Sequence, residues 1–190
     1  MLPPAIWSNP AFCFYLIRIL FRDLKPANVG LDFQDKIKLF DFGLAKELKD
    51  EFRVGPDQYH ATRHIGTPRY MAPEVFSDGG LYGLPADVYS FVLMLWEVMS
   101  LRLPFDGMTP YRHAFSTYVK KIRPKINTSW PKEVKILIKN GWHHDPSRRP
   151  IMSTVGIGIS SYLESTNGWK HGWYLKPYFV YDGVAWILDR

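Results

Sequence analysis

The sequence predicts a mostly α, α+β domain in which one small β-hairpin comes early and a buried helix occupies the centre. Three observations predict it. Two short runs at 28–32 and 36–40 alternate apolar and polar residues on either side of Phe33, Gln34 and Asp35, the spacing of a hairpin. From Pro85 onward Val88, Phe91, Val92, Leu95, Trp96 and Met99 follow helical spacing, with Leu93 and Met94 also apolar, so this helix has almost no polar face. Further helical patterns fill the second half of the chain, each preceded by turn or capping signals.

In chain order, the first element is the least regular. Residues 11–20 are apolar, but Pro3, Pro4 and Pro10 precede them, no basic run leads in, and Arg18 interrupts the stretch. A spanning helix needs about 20 apolar residues, so neither a membrane segment nor a secretion signal is expected here. Residues 1–17 are set apart from a domain expected over 18–164. After the hairpin, residues 43–72 read as a long polar connection of the kind that is usually functional inside a compact domain. Pro85-Ala86-Asp87 opens the central helix, with Asp87 in the place of an N-cap. Thr109 followed by Pro110 predicts a cap and a first turn, starting a helix toward Lys121. Ser129 or Trp130 before Pro131 repeats the signal, and Gly141 supplies a stop. A last helix is expected from Ile151 to about Glu164. The tail, 165–190, holds Trp169, Trp173, Tyr174, Tyr178, Phe179, Tyr181 and Trp186 in no recognised pattern.

Composition supports one core, since 46% of the 190 residues are hydrophobic and 16% aromatic. The lone Cys13 excludes an internal disulfide framework and fits a reducing compartment, hence a cytoplasmic or nuclear location. A net charge of +6 raises the question of nucleic acid or acidic membrane as partner. The basic residues are scattered, however, and the densest run, Lys120, Lys121, Arg123 and Lys125, reads as a solvated helix end. His60, His64, His143 and His144 lack zinc-ligand spacing, so no metal is assigned to them.

The chemistry lies in ordered motifs. Phe21-Arg22-Asp23-Leu24-Lys25-Pro26-Ala27-Asn28 precedes the hairpin, and Asp41-Phe42-Gly43 follows it. Next come Gly66-Thr67-Pro68-Arg69-Tyr70-Met71-Ala72-Pro73-Glu74, then Asp87-Val88-Tyr89-Ser90-Phe91, then Asp145-Pro146-Ser147-Arg148-Arg149-Pro150. Any one string is weak, but their order and spacing together are specific. Asp23, Asn28 and Asp41 are oxygen-bearing side chains that a single hairpin returns to one place, as a site handling phosphate and a hard divalent cation requires.

In these motifs the chain resembles the C-terminal lobe of a eukaryotic-type protein kinase of the serine/threonine kind, most like the tyrosine-kinase-like group. The resemblance covers about residues 18–164 and implies a protein-kinase-like lobe whose hairpin carries the catalytic loop and the Asp-Phe-Gly motif. It implies transfer of the γ-phosphate of ATP to Ser or Thr of a protein substrate, with Mg²⁺ as metal. Asp23 would orient the substrate hydroxyl and accept its proton, Lys25 would touch the transferred phosphate, and Asn28 and Asp41 would hold Mg²⁺. Glu74 would pair with Arg149, and Asp87 would hydrogen-bond the catalytic-loop backbone. Arg22 suggests pairing with a phosphorylated residue, for which Thr62 is the candidate ahead of Tyr59, while Thr67 is expected to hydrogen-bond near Asp23. Lys25 and Thr67 favour Ser/Thr over Tyr. No nucleic acid and no membrane is implied as partner.

Two departures qualify this. Phe21 replaces the usual His and is expected to pack on Phe42 beside Gly43, leaving proton transfer untouched. Nothing before Phe21 resembles a glycine-rich loop, a Val-Ala-Ile-Lys strand or the helix bearing its glutamate partner. A general base contributes about 10²–10⁴ in rate, whereas positioning bound reactants contributes about 7–11 kcal/mol. The chain alone is therefore expected to have little or no activity. The alternatives are a catalytically dead interaction module, with a scaffold or regulatory partner, and a tyrosine or dual-specificity kinase fragment.

Overall fold

Helix α1 (Pro85–Ser100) organises the molecule. Eleven consecutive residues, Ala86 through Trp96, are buried, which is what an almost uniformly apolar helix requires. The computed structural model describes residues 18–33 and 37–165. Cys13 and the aromatic tail from Trp169 to Trp186 lie outside the described residues, as do positions 34–36.

Seven short strands precede or abut α1 and form three small antiparallel sheets. Strand β1 (Ile19–Leu20) pairs with β4 (Lys46–Glu47), so the chain leaves and returns to the same edge around the hairpin. The hairpin itself is β2 (Val29–Leu31) against β3 (Ile37–Leu39), with Val29 opposite Leu39. Beyond it, β5 (Arg53–Gly55) and β6 (Gln58–His60) pair, and β6 continues onto β7 (Leu81–Tyr82).

Segment 43–72, expected as an unpatterned connection, is thus largely organised. Short 3-10 turns at Phe42–Leu44, Asp50–Phe52 and Pro68–Tyr70 alternate with three of the strands. Its polarity misled because two- and three-residue strands are too short to show a period, and β4 and β6 find partners, β1 and β7, that are remote in sequence.

Among the described residues three further helices follow α1. Helix α2 (Pro110–Ala114) starts as expected, with Thr109 accepting from the Arg112 N–H at 3.3 Å, but passes into a π-helical turn over Phe115–Val119. Helix α3 (Lys132–Gly141) has Pro131 as its cap, with no side-chain bond; Ser129 bonds Asn127 Oδ1 at 2.9 Å instead. Helix α4 (Met152–Ser165) closes the described chain. Fully buried Leu20, Tyr89, Val92, Leu93, Ile138 and Val155 mark where strands and helices share one core.

Two expectations are corrected here. Asp87 is not the N-cap of α1: Leu84 holds that position, and Asp87 lies buried in the first turn. Nor is the basic run wholly a solvated helix end. Arg123 is half-buried, donates to the carbonyls of Trp142 (2.9 Å), Thr117 (3.1 Å) and Ile122 (2.8 Å), and stacks 5.1 Å from the Tyr89 ring. Lys120, Lys121 and Lys125 are exposed.

Candidate active site

The centre of the site is Asp23, buried in the loop between β1 and β2. Its Oδ1 accepts from Thr67 twice, from N–H at 2.8 Å and from Oγ1 at 2.6 Å. Its Oδ2 accepts from Lys25 Nζ at 2.7 Å and from Asn28 Nδ2 at 3.0 Å. Burial works to raise the Asp23 pKa, but the bonds from Lys25 and Thr67 outweigh it, and the net effect is to lower it. Asp23 is therefore an anion near neutral pH.

Those four donors fill about all the acceptor positions that a carboxylate has. Thr67 Oγ1 is the replaceable one. It also accepts from Lys25 Nζ at 2.7 Å, so it keeps a partner if another hydroxyl takes its place on Asp23.

Asn28 ends a 3-10 turn, Pro26–Asn28, and its amide orientation is dictated by its surroundings. Both neighbours of Nδ2, the Asp23 carbonyl at 2.9 Å and the Asp23 carboxylate at 3.0 Å, are acceptors, so the nitrogen must face them and the amide oxygen face away. The hairpin then returns the chain, with the Phe40 N–H donating to the Asn28 carbonyl at 2.8 Å. Asp41 is the next residue. It is exposed, adopts the left-handed region at φ 60° and ψ 73°, and its Oδ1 accepts from the Gly43 N–H at 3.2 Å. An amide oxygen and a carboxylate are hard donors, the set that suits Mg²⁺ completed by water and phosphate oxygens. Among the described residues no group of three or more His, Cys, Asp or Glu could hold another metal.

Distant segments hold this cluster in place. Asp87 reaches back from α1 and accepts from the N–H groups of Phe21 (2.6 Å) and Arg22 (2.9 Å), fixing the loop just before Asp23. Burial pushes the Asp87 carboxyl up to about 6, opposed by these two N–H donors and by the Arg22 charge. Phe21 meets Phe42 edge-to-face with centroids 5.3 Å apart. Glu74 and Arg149 form a bidentate pair at 2.6 and 2.8 Å, and Arg149 also donates to the carbonyls of His143 and Pro85, each at 2.8 Å.

Arg22 donates through Nε to the Leu44 carbonyl; its charge near the Tyr82 hydroxyl opposes the rise that burial gives the Tyr82 pKa. Tyr82 in turn donates to the Thr62 carbonyl at 2.5 Å. Thr62 is exposed, while Tyr59 is buried at 3% exposure.

Two contributors were not read from the sequence. Gly66 has φ +105°, and a Cβ there would lie 2.2 Å from the Arg22 carbonyl oxygen. Its position just before Thr67 was the available signal. Tyr82, which donates to the Thr62 carbonyl, lies in a turn-rich stretch that offered none.

A buried carboxylate flanked by a lysine, an asparagine and a threonine, with a second carboxylate returned by a hairpin, offers the groups that positioning a hydroxyl beside a phosphate would require. The protein kinase domain model matches residues 11–156, and the chain belongs to that family. It is 36% identical over 146 residues to the serine/threonine/tyrosine-protein kinase HT1 of Arabidopsis thaliana, covering 77% of this chain and 35% of that protein. To the human serine/threonine-protein kinase TNNI3K it is 35% identical over 145 residues, 76% of this chain and 17% of that protein. To the dual specificity protein kinase shkD of Dictyostelium discoideum it is 29% identical over 180 residues, 90% of this chain and 23% of that protein. The chain spans no more than 35% of the length of these relatives.

Proposed function

We propose that this chain forms the acceptor-orienting and magnesium-holding lobe of a serine/threonine protein kinase, with its hairpin carrying the catalytic loop. The observation that carries the reading is the saturated, buried Asp23 cluster shared by Lys25, Asn28 and Thr67. ATP with Mg²⁺, when bound, supplies the phosphoryl group and the charge neutralisation. The chain's own residues position the other reactant. A substrate hydroxyl replaces the Thr67 hydroxyl on Asp23 Oδ1 and is thereby aligned. Because Asp23 is a weak base, its first contribution is orientation, and it takes the proton only as the hydroxyl becomes strongly acidic late in transfer. Lys25 lies against the same oxygens and is placed to meet the transferred group. Asn28 and Asp41 offer the metal oxygens.

Arg22 is assigned a regulatory role. Thr62 is exposed and its backbone carbonyl accepts from Tyr82, a residue that also feels the Arg22 charge, so a phosphate on Thr62 would have a guanidinium in its neighbourhood able to bind it. Phosphopeptide mapping that found Thr62 always unmodified in an active form would remove this assignment.

The second reading is an inactive interaction module. The discriminating experiment joins residues 18–165 to the N-terminal lobe of HT1 and measures Mg-ATP-dependent phosphorylation of peptides, with phosphoamino acid analysis. We expect phosphoserine and phosphothreonine, reduced by about 10²–10⁴ in Asp23→Asn. Absence of transfer would favour the interaction module. Phosphotyrosine as a main product would favour the dual-specificity class that the name of shkD prints.

A further inference from the structure

Residues 107–132 carry six basic side chains and no acidic one. Since the whole chain has 24 basic and 18 acidic residues, the remainder is electrically balanced, and the net charge of +6 resides in this one segment. Arg112, Lys120, Lys121, Lys125 and Lys132 are exposed, and none of them is in an ion pair among the described residues.

The same segment holds α2 and the π turn that follows it. His113 and Thr117 are its buried side. Burial, then the charges of Arg69 and Arg123, hold the His113 pKa down to about 4, so its ring is neutral near pH 7 and adds nothing to the charge of the segment. Tyr111, Phe115 and Val119 recur every four residues and are all exposed, with exposed Tyr118 and Ile122 beside them. Lys120 Nζ lies 5.3 Å from the centre of the Phe115 ring, so charge borders the apolar stripe directly.

The stripe is held in shape from beneath. A π turn is rare and occurs frequently at functional sites. This one is closed by the Lys120 N–H on the Phe115 carbonyl at 3.2 Å. So wide a turn leaves carbonyls without their usual α-helical partner, and side chains take them: Thr117 Oγ1 donates to the His113 carbonyl at 3.0 Å, and Arg123 to that of Thr117 at 3.1 Å. The outer face therefore needs little reordering when a partner arrives.

Charge and relief decide what that partner is. A second copy would bring the same positive charges against the face, and like charges across an interface cost affinity. A bilayer takes apolar side chains about 5–10 Å deep, whereas Phe115, Tyr118, Val119 and Ile122 are only 41–56% exposed, too shallow a relief for insertion. A protein segment with carboxylates around an apolar stripe matches both properties, and aromatic anchors with a charged rim are the usual anatomy of such contacts.

We propose that the outer face of α2 and its π turn docks an acidic, amphipathic segment of a partner protein, whose apolar residues cover Tyr111, Phe115 and Val119 and whose carboxylates meet Lys120 and Lys121. None of these residues belongs to the Asp23 cluster, so the inference stands apart from the kinase reading.

The test titrates the 190-residue chain with synthetic peptides of about 18 residues, roughly five helical turns. One has Leu at helical spacing and Glu elsewhere, one has the same residues scrambled, and one has Lys in place of Glu. The first binds about tenfold more tightly than either of the others, and its affinity falls as salt rises. Tyr111→Ser, Phe115→Ser and the double variant Lys120→Glu, Lys121→Glu each weaken it about tenfold, while Lys49→Glu, an exposed basic residue outside the segment, leaves it unchanged. Equal affinity for the amphipathic and scrambled peptides, unchanged affinity in the three segment variants, or no peptide binding at all overturns the proposal. Binding of phosphatidylserine vesicles in place of the peptide overturns it in favour of a membrane contact. Self-association in sedimentation that Phe115→Ser abolishes, without peptide binding, overturns it in favour of a second copy.

Discussion

Asp23 and Arg149 show how the same charge chemistry serves two ends. Asp23 has an exchangeable partner, the Thr67 hydroxyl, which keeps a bond to Lys25 if it leaves the carboxylate. Arg149 has none to spare: its side chain is fully buried against a Glu74 side chain at 12% exposure, and its other donors meet backbone carbonyls. Breaking such a pair leaves one charge buried alone, which costs about 3–5 kcal/mol. Glu74→Gln should therefore lower stability by that amount in urea unfolding, and Glu74→Gln with Arg149→Met should recover a good part of it.

Titration at the residue scale has a sign that can be worked out. Asp87 has its folded pKa raised to about 6 from 3.8, so its contribution to stability is present in acid and lost as pH rises toward 6. His113 has its folded pKa lowered to about 4 from 6.5, so the unfolded state takes up the proton first and stability is lost as pH falls from about 6.5 toward 4. The lowered pKa of Asp23 works in the same direction as His113, with stability lost as pH falls through it. Across pH 4 to 6.5, urea midpoints should thus rise more steeply with pH in Asp87→Asn than in the unsubstituted chain, and less steeply in His113→Phe. Parallel pH profiles for all three would contradict this assignment.

At the scale of elements, close backbone approach decides what the loops can do. Gly66 brings its backbone against the Arg22 carbonyl, where a side chain would clash at 2.2 Å, and its positive φ is itself unfavourable for alanine. Gly66→Ala should pull Thr67 away from Asp23, abolishing transfer in the HT1 fusion while the far-UV circular dichroism stays unchanged. Gly141 plays a packing role instead. A Cβ there would lie 2.4 Å from Val92 Cγ1, so α3 and α1 meet through the missing side chain. Gly141→Ala should cost about 1–3 kcal/mol by overpacking, read as a shifted urea midpoint with an unchanged slope.

The elements also show which sequence signals were legible. The core helix, the hairpin and the Thr109 cap were readable because their periods and caps are local properties of side chains. The sheets within 43–72 were not, since their strands are two or three residues long and two of them, β4 and β6, pair with β1 and β7 across the chain. Asp87 shows the same limit from the other side. A local rule made it a cap, but its carboxylate is used by backbone N–H groups 65 and 66 residues away.

For the whole molecule, family membership and activity are separate matters. The family follows from ordered motifs and from the match over residues 11–156. Activity needs a second structure over the phosphates of ATP, and orientation is the larger share of the rate, about 7–11 kcal/mol. The 190-residue polypeptide should therefore show little Mg-ATP-dependent phosphorylation alone. Robust transfer by it, lost on Asp41→Asn, would overturn that expectation.

The order of Asp23, Lys25, Asn28, Asp41, Glu74, Asp87 and Arg149 along the chain determined the family, because motif spacing is a linear property. Only the tertiary structure decided that Thr67 donates to Asp23, that Arg123 is half-buried, and that the His113 ring nitrogens are buried without a partner. Those facts depend on which remote surfaces meet and exclude water, and burial of that kind leaves no mark on neighbouring residues in the sequence.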